Sequence, residues 1–277
     1  MNLKITILLL IAILLLGCAQ QTPKKSGLEA GEKTWPQKNF QEQTQTADVK
    51  TTEPKAEGMS MQKVSFQTSD GVTIVANYFK PSGKAKAKVV LLHMRPKAKE
   101  SWDNFAKKLQ AAGLEVLAID MRGWGESTQG ANGKVLSYSN FTPQEYNGIV
   151  KDVEAAAKFL DAKPSEIYLA GASIGSNISF NYGTQNNSAK VVLLSPGLNY
   201  LGVSIEDAKD AFQNFKGKML IVASKEDLYS YQSVQKLEGY ASGLGNIEFL
   251  KVENSGHGTD MFGNAEVEKR AFNFLTN

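Results

Sequence analysis

The chain has 277 residues, of which 42% are hydrophobic and 21% are charged, and its formal net charge at pH 7 is +3. So small a net charge indicates no nucleic-acid-binding surface, and no nucleic-acid partner is expected. The sequence contains one cysteine and two histidines. Because it has neither a metal-type His/Cys cluster nor a phosphate-binding Gly-x-x-x-x-Gly-Lys loop, we expect no metal and no cofactor.

The N-terminal segment MNLKITILLLIAILLLGC contains an apolar stretch over residues 5–16. This stretch is shorter than the roughly 20 residues that cross a bilayer as a helix, so residues 1–17 predict an export signal. Its last four residues, Leu-Leu-Gly-Cys, resemble the lipobox of bacterial lipoproteins, in which cleavage precedes a cysteine that becomes lipidated. The resemblance implies a lipid anchor at Cys18 that holds the protein on a membrane of the bacterial cell envelope, outside the cytoplasm. An uncleaved N-terminal anchor and a secreted protein with an unpaired thiol are the alternatives.

The composition of residues 18–59 predicts a disordered tether. Between residues 19 and 58 the sequence is rich in Gln, Thr, Lys and Glu, and its six lysines balance six acidic residues. Such a composition buries too little apolar surface to offset the entropy of folding. Residues 60–277 are long enough for a substantial hydrophobic core and predict a single domain.

Apolar runs and turn signals alternate regularly along this domain. Two strands over 63–68 and 72–79 flank Ser-Asp-Gly, which predicts a hairpin. Further strands are predicted at 89–93, 116–120, 167–170, 191–195, 219–224 and 247–252. Helices are predicted at 102–112, 143–160, 174–182, about 205–215, 230–240 and 265–275. The helix over 143–160 has Thr142 as its N-cap and Glu145 three residues later, the pattern of a capping box.

Alternating strands and helices predict an α/β fold with a mostly parallel central sheet of about eight strands and helices on both faces. The leading hairpin is expected at an antiparallel edge. In open parallel sheets, ligands bind beyond the carboxyl ends of the strands. Ser173, Asp227 and His257 each follow a predicted strand, so we expect all three at this edge of the sheet.

Ser173 lies within the Gly-x-Ser-x-Gly motif that begins at Gly171 and ends at Gly175. Where a strand turns into a helix within one or two residues, only small side chains fit beside the turning residue. A serine at such a turn exposes its hydroxyl, and the free N–H groups of the new helix point towards any oxyanion formed there. The pattern therefore predicts a nucleophile, with a simple helix cap as the alternative.

A serine hydroxyl needs a neighbouring base, for which histidine is the best-matched side chain near neutral pH. His257, in a glycine-flanked loop, is the predicted base, whereas His93 at a strand end is predicted to be a packed, hydrogen-bonded strut. A carboxylate must orient the imidazole. Asp227 is the predicted partner, with Glu226 and Asp260 as alternatives.

The domain resembles the α/β-hydrolase family over nearly all of residues 60–277. The resemblance is carried by these candidate residues and by the segment from residue 91 to 127. The catalytic order Ser, Asp, His is that of the family. The family's Asp-x-Arg-Gly-x-Gly-x-Ser element is matched by Asp120, Arg122, Gly123, Gly125 and Ser127. We expect this element to shape a turn and not to take part in the chemistry. The resemblance implies an α/β-hydrolase fold.

One position departs from the family pattern. Met94 stands where the family's His-Gly dipeptide has its glycine. The resemblance implies that the oxyanion donors are the backbone N–H of Ile174 and that of Met94 or Arg95. The Arg95 side chain has two further interpretations, a solvated loop residue and a ligand for a substrate carboxylate.

A serine at the turn favours hydrolysis through an acyl-serine intermediate. The predicted enzyme is a serine hydrolase, carboxylesterase-like, acting on a small-molecule ester or acylated substrate. Only 23 residues separate the strand that ends at Ser195 from the strand that begins at Met219, so we expect no large cap domain. A peptidase or thioesterase of the same fold and a non-catalytic binding lipoprotein are the alternatives.

Overall fold

The computed structural model describes residues 60–277. The predicted export signal, the lipid anchor at Cys18 and the tether lie outside the described residues and stay predictions. Within residues 60–277, no helix combines the length and the apolar character needed to span a membrane.

An eight-stranded sheet forms the centre of the described domain. Its strands, in spatial order, are β1 (Met61–Gln67), β2 (Thr73–Phe79), β4 (Glu115–Ile119), β3 (Lys88–Leu92), β5 (Tyr168–Ala172), β6 (Lys190–Leu194), β9 (Lys218–Ser224) and β10 (Ile247–Val252). β2 pairs antiparallel with β1 and with β4, and all other pairs are parallel. A separate hairpin consists of β7 (Asn199–Tyr200) and β8 (Val203–Ser204). The predicted mostly parallel sheet with an antiparallel hairpin at one edge is therefore confirmed.

Helices cover both faces of the sheet. They are α1 (Asp103–Ala111), α2 (Pro143–Asn147), α3 (Val150–Phe159), α4 (Ile174–Asn186), α5 (Ala208–Asn214), α6 (Leu228–Tyr240) and α7 (Ala265–Thr276). Successive strand residues face opposite sides, so in β3 Val90 and Leu92 belong to one hydrophobic cluster and Val89 and Leu91 to the other. Both faces are buried, which explains why the parallel strands are continuous apolar runs.

The prediction of one helix over 143–160 is wrong. The structure has two helices there, α2 and α3, separated at Gly148 and Ile149. The N–H of Ile149 donates to the carbonyl of Tyr146, three residues back, and that of Lys151 donates to Gly148. These tighter turns interrupt the α-helix at a glycine, the residue with the weakest helix propensity after proline. The capping box of Thr142 and Glu145 is confirmed.

Candidate active site

Ser173 lies at the turn between β5 and α4 with φ of 54° and ψ of −121°. This is a sparsely populated conformation for a residue other than glycine. The Ser173 N–H donates to the carbonyl of Leu194 at 2.9 Å, which ties the turn to β6. Ser173 occupies the N-cap position of α4, but its side chain makes no cap hydrogen bond. The Ser173 hydroxyl therefore does not cap the helix.

The two glycines of the motif permit this turn for a steric reason. A Cβ on Gly175 would lie 2.5 Å from the carbonyl oxygen of His93 and 2.6 Å from that of Leu92. A Cβ on Gly171 would collide with the carbonyl group of Gly175. Only glycine allows α4 to approach β3 and β5 this closely.

The Nδ1 nitrogen of His257 lies 2.6 Å from the Oδ2 oxygen of Asp227. Burial opposes ionisation of Asp227, but hydrogen bonds from His257, Ser230 and Ser195 outweigh burial and lower the pKa of this carboxyl. An ionised carboxylate only accepts hydrogen bonds, so Nδ1 of His257 carries the proton. In this tautomer Nε2 is the ring nitrogen that can accept a proton.

Glu226, the adjacent carboxylate, has a different role. It accepts the backbone N–H of Asn254 at 2.8 Å and that of Gly256 at 2.7 Å. Burial acts to raise the pKa of Glu226, but the N–H of Gly256, the Ser224 side chain and the N–H of Asn254 favour the charged form and contribute to lowering it to about 2. Asp260, the third carboxylate considered, pairs with Lys97. In the structure, Asp227 therefore contacts His257 directly. Glu226 instead accepts hydrogen bonds from the loop that carries this histidine.

The contacts of Gly258 show how the histidine loop meets the turn at Ser173. The N–H of Gly258 donates to the hydroxyl oxygen of Ser195 at 2.9 Å. A Cβ on Gly258 would lie 3.3 Å from the Cβ of Ala172 and would overlap the sulfur of Met94. The residue after His257 therefore packs on the residue before Ser173. Ser173, Asp227 and His257 are brought to the same edge of the sheet, and their catalytic roles remain predictions.

The predicted oxyanion donors lie beside this turn. Within residues 60–277, the backbone N–H groups of Ile174, Met94 and Arg95 donate no hydrogen bond. Ile174 is the first residue of α4, where the helix dipole favours negative charge. The carbonyl of Met94 accepts a hydrogen bond from Nδ1 of His93 at 3.0 Å, so the peptide after Met94 is held in place.

His93 is the packed strut that its position predicts. Its side chain is fully buried, and its Nε2 accepts the N–H of Met121 at 3.1 Å. With Nδ1 donating and Nε2 accepting, the ring is neutral. Burial lowers the pKa of His93 from 6.5 to about 4. His93 thus links the loop after β3 to the loop after β4.

The Asp-x-Arg-Gly-x-Gly-x-Ser element shapes the loop after β4. The buried Asp120 carboxylate accepts the N–H of Lys99 and the N–H of Glu126, both at 2.9 Å, and the Lys99 ammonium at 2.7 Å. Nε of Arg122 pairs with the buried Asp152 at 2.7 Å. These contacts join the loop after β4 to the segment between β3 and α1 and to α3, in agreement with a structural role.

Sequence reasoning missed Tyr200, in the β7–β8 hairpin. Its hydroxyl bonds to the carbonyl of Ser195 at 3.2 Å and to the hydroxyl of Ser230 at 2.9 Å, and its ring lies edge-on to the His257 ring at 6.5 Å. Burial raises the pKa of the Tyr200 phenol, and the hydroxyls of Ser230 and Ser173 lower it in part. The sequence feature that could have indicated this hairpin is Gly202 at its turn. Leu201 precedes it at a positive φ of 55°, which is unusual for leucine and hides the turn pattern.

The sheet order, the helices on both faces and the serine at the β5–α4 turn together define the α/β-hydrolase fold. Solved structures agree. A predicted CIB-like hydrolase from Thermoplasma acidophilum superposes with a TM-score of 0.62 and 19% identity, over 79% of this chain and 100% of that chain. An esterase from Pyrococcus furiosus matches with a TM-score of 0.61 and 18% identity, over 83% and 97% of the two chains. A carboxyl esterase from Bacillus coagulans matches with a TM-score of 0.61 and 14% identity, over 78% and 98%.

The chain belongs to the family described as serine aminopeptidase, S33, whose model matches residues 83–237, more than half of its length. It is a hydrolase of the α/β-hydrolase class, so the resemblance seen in the sequence is confirmed. The matched region includes Ser173 and Asp227 and ends before His257. A comparison with curated proteins gave no match.

Proposed function

We propose that this protein is a serine carboxylesterase that cleaves small-molecule esters through an acyl-serine intermediate. The observation that carries the proposal is the 2.6 Å contact between Nδ1 of His257 and Oδ2 of Asp227. It leaves Nε2 of His257 as a proton acceptor on a loop that packs against the turn holding Ser173.

In the acylation step, Oγ of Ser173 bonds to the carbonyl carbon of the ester while Nε2 of His257 takes the hydroxyl proton. Asp227 stabilises the imidazolium that forms. The carbonyl oxygen becomes an oxyanion, and the N–H of Ile174 and the N–H of Met94 or Arg95 donate to it. The bond to the alcohol oxygen then breaks, and Nε2–H protonates the leaving alkoxide.

In the deacylation step, water replaces the alcohol. His257 removes a proton from the water as its oxygen bonds to the acyl carbon, and a second oxyanion forms against the same two N–H groups. The bond between the acyl carbon and Oγ breaks, and Ser173 recovers its proton from His257. The products are a carboxylic acid and an alcohol.

The charges near the site favour esters over peptides with a free N-terminus. An aminopeptidase has to bind the ammonium group of its substrate, which calls for an available carboxylate. The carboxylates adjacent to the site are already engaged, Asp227 with His257, Glu226 with backbone N–H groups and Asp260 with Lys97.

The conformation of Ser173 favours catalysis over a purely binding role. A positive φ at a residue other than glycine costs about 1–3 kcal/mol and persists where the surroundings enforce it. Here Gly171, Gly175 and the hydrogen bond to Leu194 enforce it. A binding protein gains nothing from this strain, whereas a nucleophile needs the exposed hydroxyl that results.

The test is hydrolysis of p-nitrophenyl acetate and p-nitrophenyl butyrate by the purified full-length chain, beside Ser173→Ala. We expect turnover that disappears in the variant, together with covalent labelling of Ser173 by a fluorophosphonate. Ser139→Ala, which changes an exposed serine, is the matched control and should retain activity. Faster turnover of amino-acid p-nitroanilides or acyl-CoA thioesters would overturn the ester assignment. The absence of both turnover and labelling would favour a binding role.

We also propose that Cys18 is lipidated and anchors the enzyme to a bacterial envelope membrane, outside the cytoplasm. The support is the apolar stretch over residues 5–16 and the Leu-Leu-Gly-Cys sequence that follows it. In Cys18→Ser we expect loss of labelled fatty-acid incorporation and of cleavage after residue 17. Because Cys18 is the only cysteine, this variant removes no other thiol. Unchanged incorporation would overturn the proposal.

A further inference from the structure

Arg95 is a cationic residue in the loop that carries the proposed oxyanion donors. It follows Met94 in the loop after β3, and it is exposed. Within residues 60–277, Arg95 forms no ion pair with a carboxylate. Its guanidinium carbon lies 5.4 Å from the centre of the Tyr138 ring, within the range of a cation–π contact.

The ring under Arg95 is firmly held. Tyr138 stacks on Trp124 with ring centres 4.3 Å apart and planes only 7° from parallel. Trp124 is 2% exposed, and the hydroxyl of Tyr146 donates to the carbonyl of Tyr138 at 2.7 Å. A guanidinium resting on a fixed aromatic surface loses less conformational entropy when it binds a ligand than one that is free in solvent.

Two sets of contacts connect Arg95 to the proposed site. The preceding residues, His93 and Met94, pack against Gly175 of the nucleophile turn and Gly258 of the histidine loop. On the other side, α2 links the aromatic surface to the Tyr200 hairpin, because Asn147 donates to the carbonyl of Gly202 at 2.9 Å. The loop that carries Arg95 and the aromatic surface beneath its side chain thus contact the elements that surround Ser173.

In the part of the chain that the structure describes, the carboxylates of the neighbouring loops are paired with groups other than Arg95. Lys97, two residues later, pairs with Asp260, and Asp227 is matched by His257. An arginine fork binds a carboxylate through two parallel hydrogen bonds, which are stronger than hydrogen bonds between neutral groups. An anionic group on the substrate would complete this arrangement.

We infer that the Arg95 guanidinium binds a carboxylate of the substrate, so that the preferred substrates are esters that carry a carboxylate near the scissile bond. This inference rests on the proposed esterase function. The carboxylate lies in the acyl part or in the alcohol part of the ester. Arg95 acts as a specificity residue and takes no part in the proton transfers.

The experiment compares pairs of esters of similar size with the full-length chain. The acyl-side pair is mono-p-nitrophenyl glutarate and p-nitrophenyl valerate, and the alcohol-side pair is 4-acetoxybenzoate and its methyl ester. We expect the anionic member of at least one pair to have the higher kcat/KM. In Arg95→Gln the anionic-to-neutral ratio should fall roughly tenfold, mainly through KM, and Arg95→Lys should restore part of it.

Lys97→Gln is the matched control, since it removes an equal charge two residues away that is already paired. It should leave the anionic-to-neutral ratio unchanged. Hydrolysis of the neutral esters with no preference for either anionic ester would overturn the inference and leave the esterase function standing. A preference that survives Arg95→Gln would also overturn it. No hydrolysis of any of the four esters, with no fluorophosphonate labelling, would overturn the esterase function and the inference together.

Discussion

His257 and Asp227 are joined by a 2.6 Å contact between Nδ1 and Oδ2, although 30 residues separate them in the chain. The neighbouring carboxylate of Glu226 accepts N–H groups from the loop that leads to the same histidine. Two adjacent acidic residues therefore act on one imidazole in different ways, one by direct contact and the other through the backbone that positions it.

Replacing Asp227 by Asn should lower kcat for p-nitrophenyl esters by about 10³–10⁴-fold, because the amide neither stabilises the imidazolium nor selects the required tautomer. Glu226→Gln should have a smaller effect, since the amide oxygen still accepts one loop N–H. Kinetics of the two variants side by side check this, with circular dichroism to verify folding. A larger loss in Glu226→Gln than in Asp227→Asn would contradict the assignment.

Replacing Gly175 by Ala should destabilise the fold, because the new methyl group would lie 2.5 Å from the His93 carbonyl oxygen. Overpacking of this kind costs typically about 1–3 kcal/mol in the free energy of unfolding, and it should also displace the loop that carries Met94 and Arg95, the alternative oxyanion donors. Urea denaturation of the variant measures the loss.

Gly239→Ala is the control for this substitution. Gly239 lies in α6, and a Cβ there meets nothing within 4 Å. Alanine at an exposed helical position should raise the free energy of unfolding by about 0.5–1 kcal/mol. If the two alanine variants were equally stable, a methyl group at position 175 would fit without the steric clash that the structure indicates.

The buried His93 should make the protein less stable in mild acid. In the folded state burial lowers its pKa to about 4, against 6.5 for the free side chain. Between these values the unfolded chain binds the proton and the folded chain does not, so the free energy of unfolding falls as the pH falls. The slope due to this one group approaches about 1.4 kcal/mol per pH unit.

Denaturation curves at several pH values between 7 and 4.5 test this effect. His93→Gln, which still offers an acceptor to the N–H of Met121, should give a flatter dependence, whatever its stability at pH 7. A variant with the same slope as the natural sequence would show that His93 is not the titrating group.

Tyr200→Phe removes the hydroxyl that bonds to Ser195 and Ser230. We expect a loss of about 1 kcal/mol in the free energy of unfolding and a decrease in kcat smaller than that of Asp227→Asn, because the proposed proton path does not pass through the phenol. Steady-state kinetics and urea denaturation give both quantities. A loss as complete as in Ser173→Ala would instead place the hydroxyl in the reaction itself.

Much of this arrangement was accessible from the sequence because the signals are local. The alternation of buried strands and helices predicted the sheet, and the residues that follow strand ends indicated where the site lies. Gly171 and Gly175 predicted the sharp turn at Ser173, since no larger residue fits there. The prediction of a single helix over 143–160 failed because an isolated glycine inside a helical pattern is usually tolerated. Gly148 interrupts the helix here together with tighter backbone hydrogen bonds that the sequence does not indicate.

The sequence by itself determined the fold class, the nucleophile candidate and the candidates for its base, since each depends on residue type and spacing along a strand, a turn or a helix. Only the tertiary structure decided between Asp227 and Glu226 as the partner of His257, and only it placed Tyr200 beside His257 and Arg95 over Tyr138. The physical reason is that hydrogen bonds and ring contacts depend on distances of a few ångströms between residues far apart in the chain. Such distances exist only once the loops at the edge of the sheet have packed together.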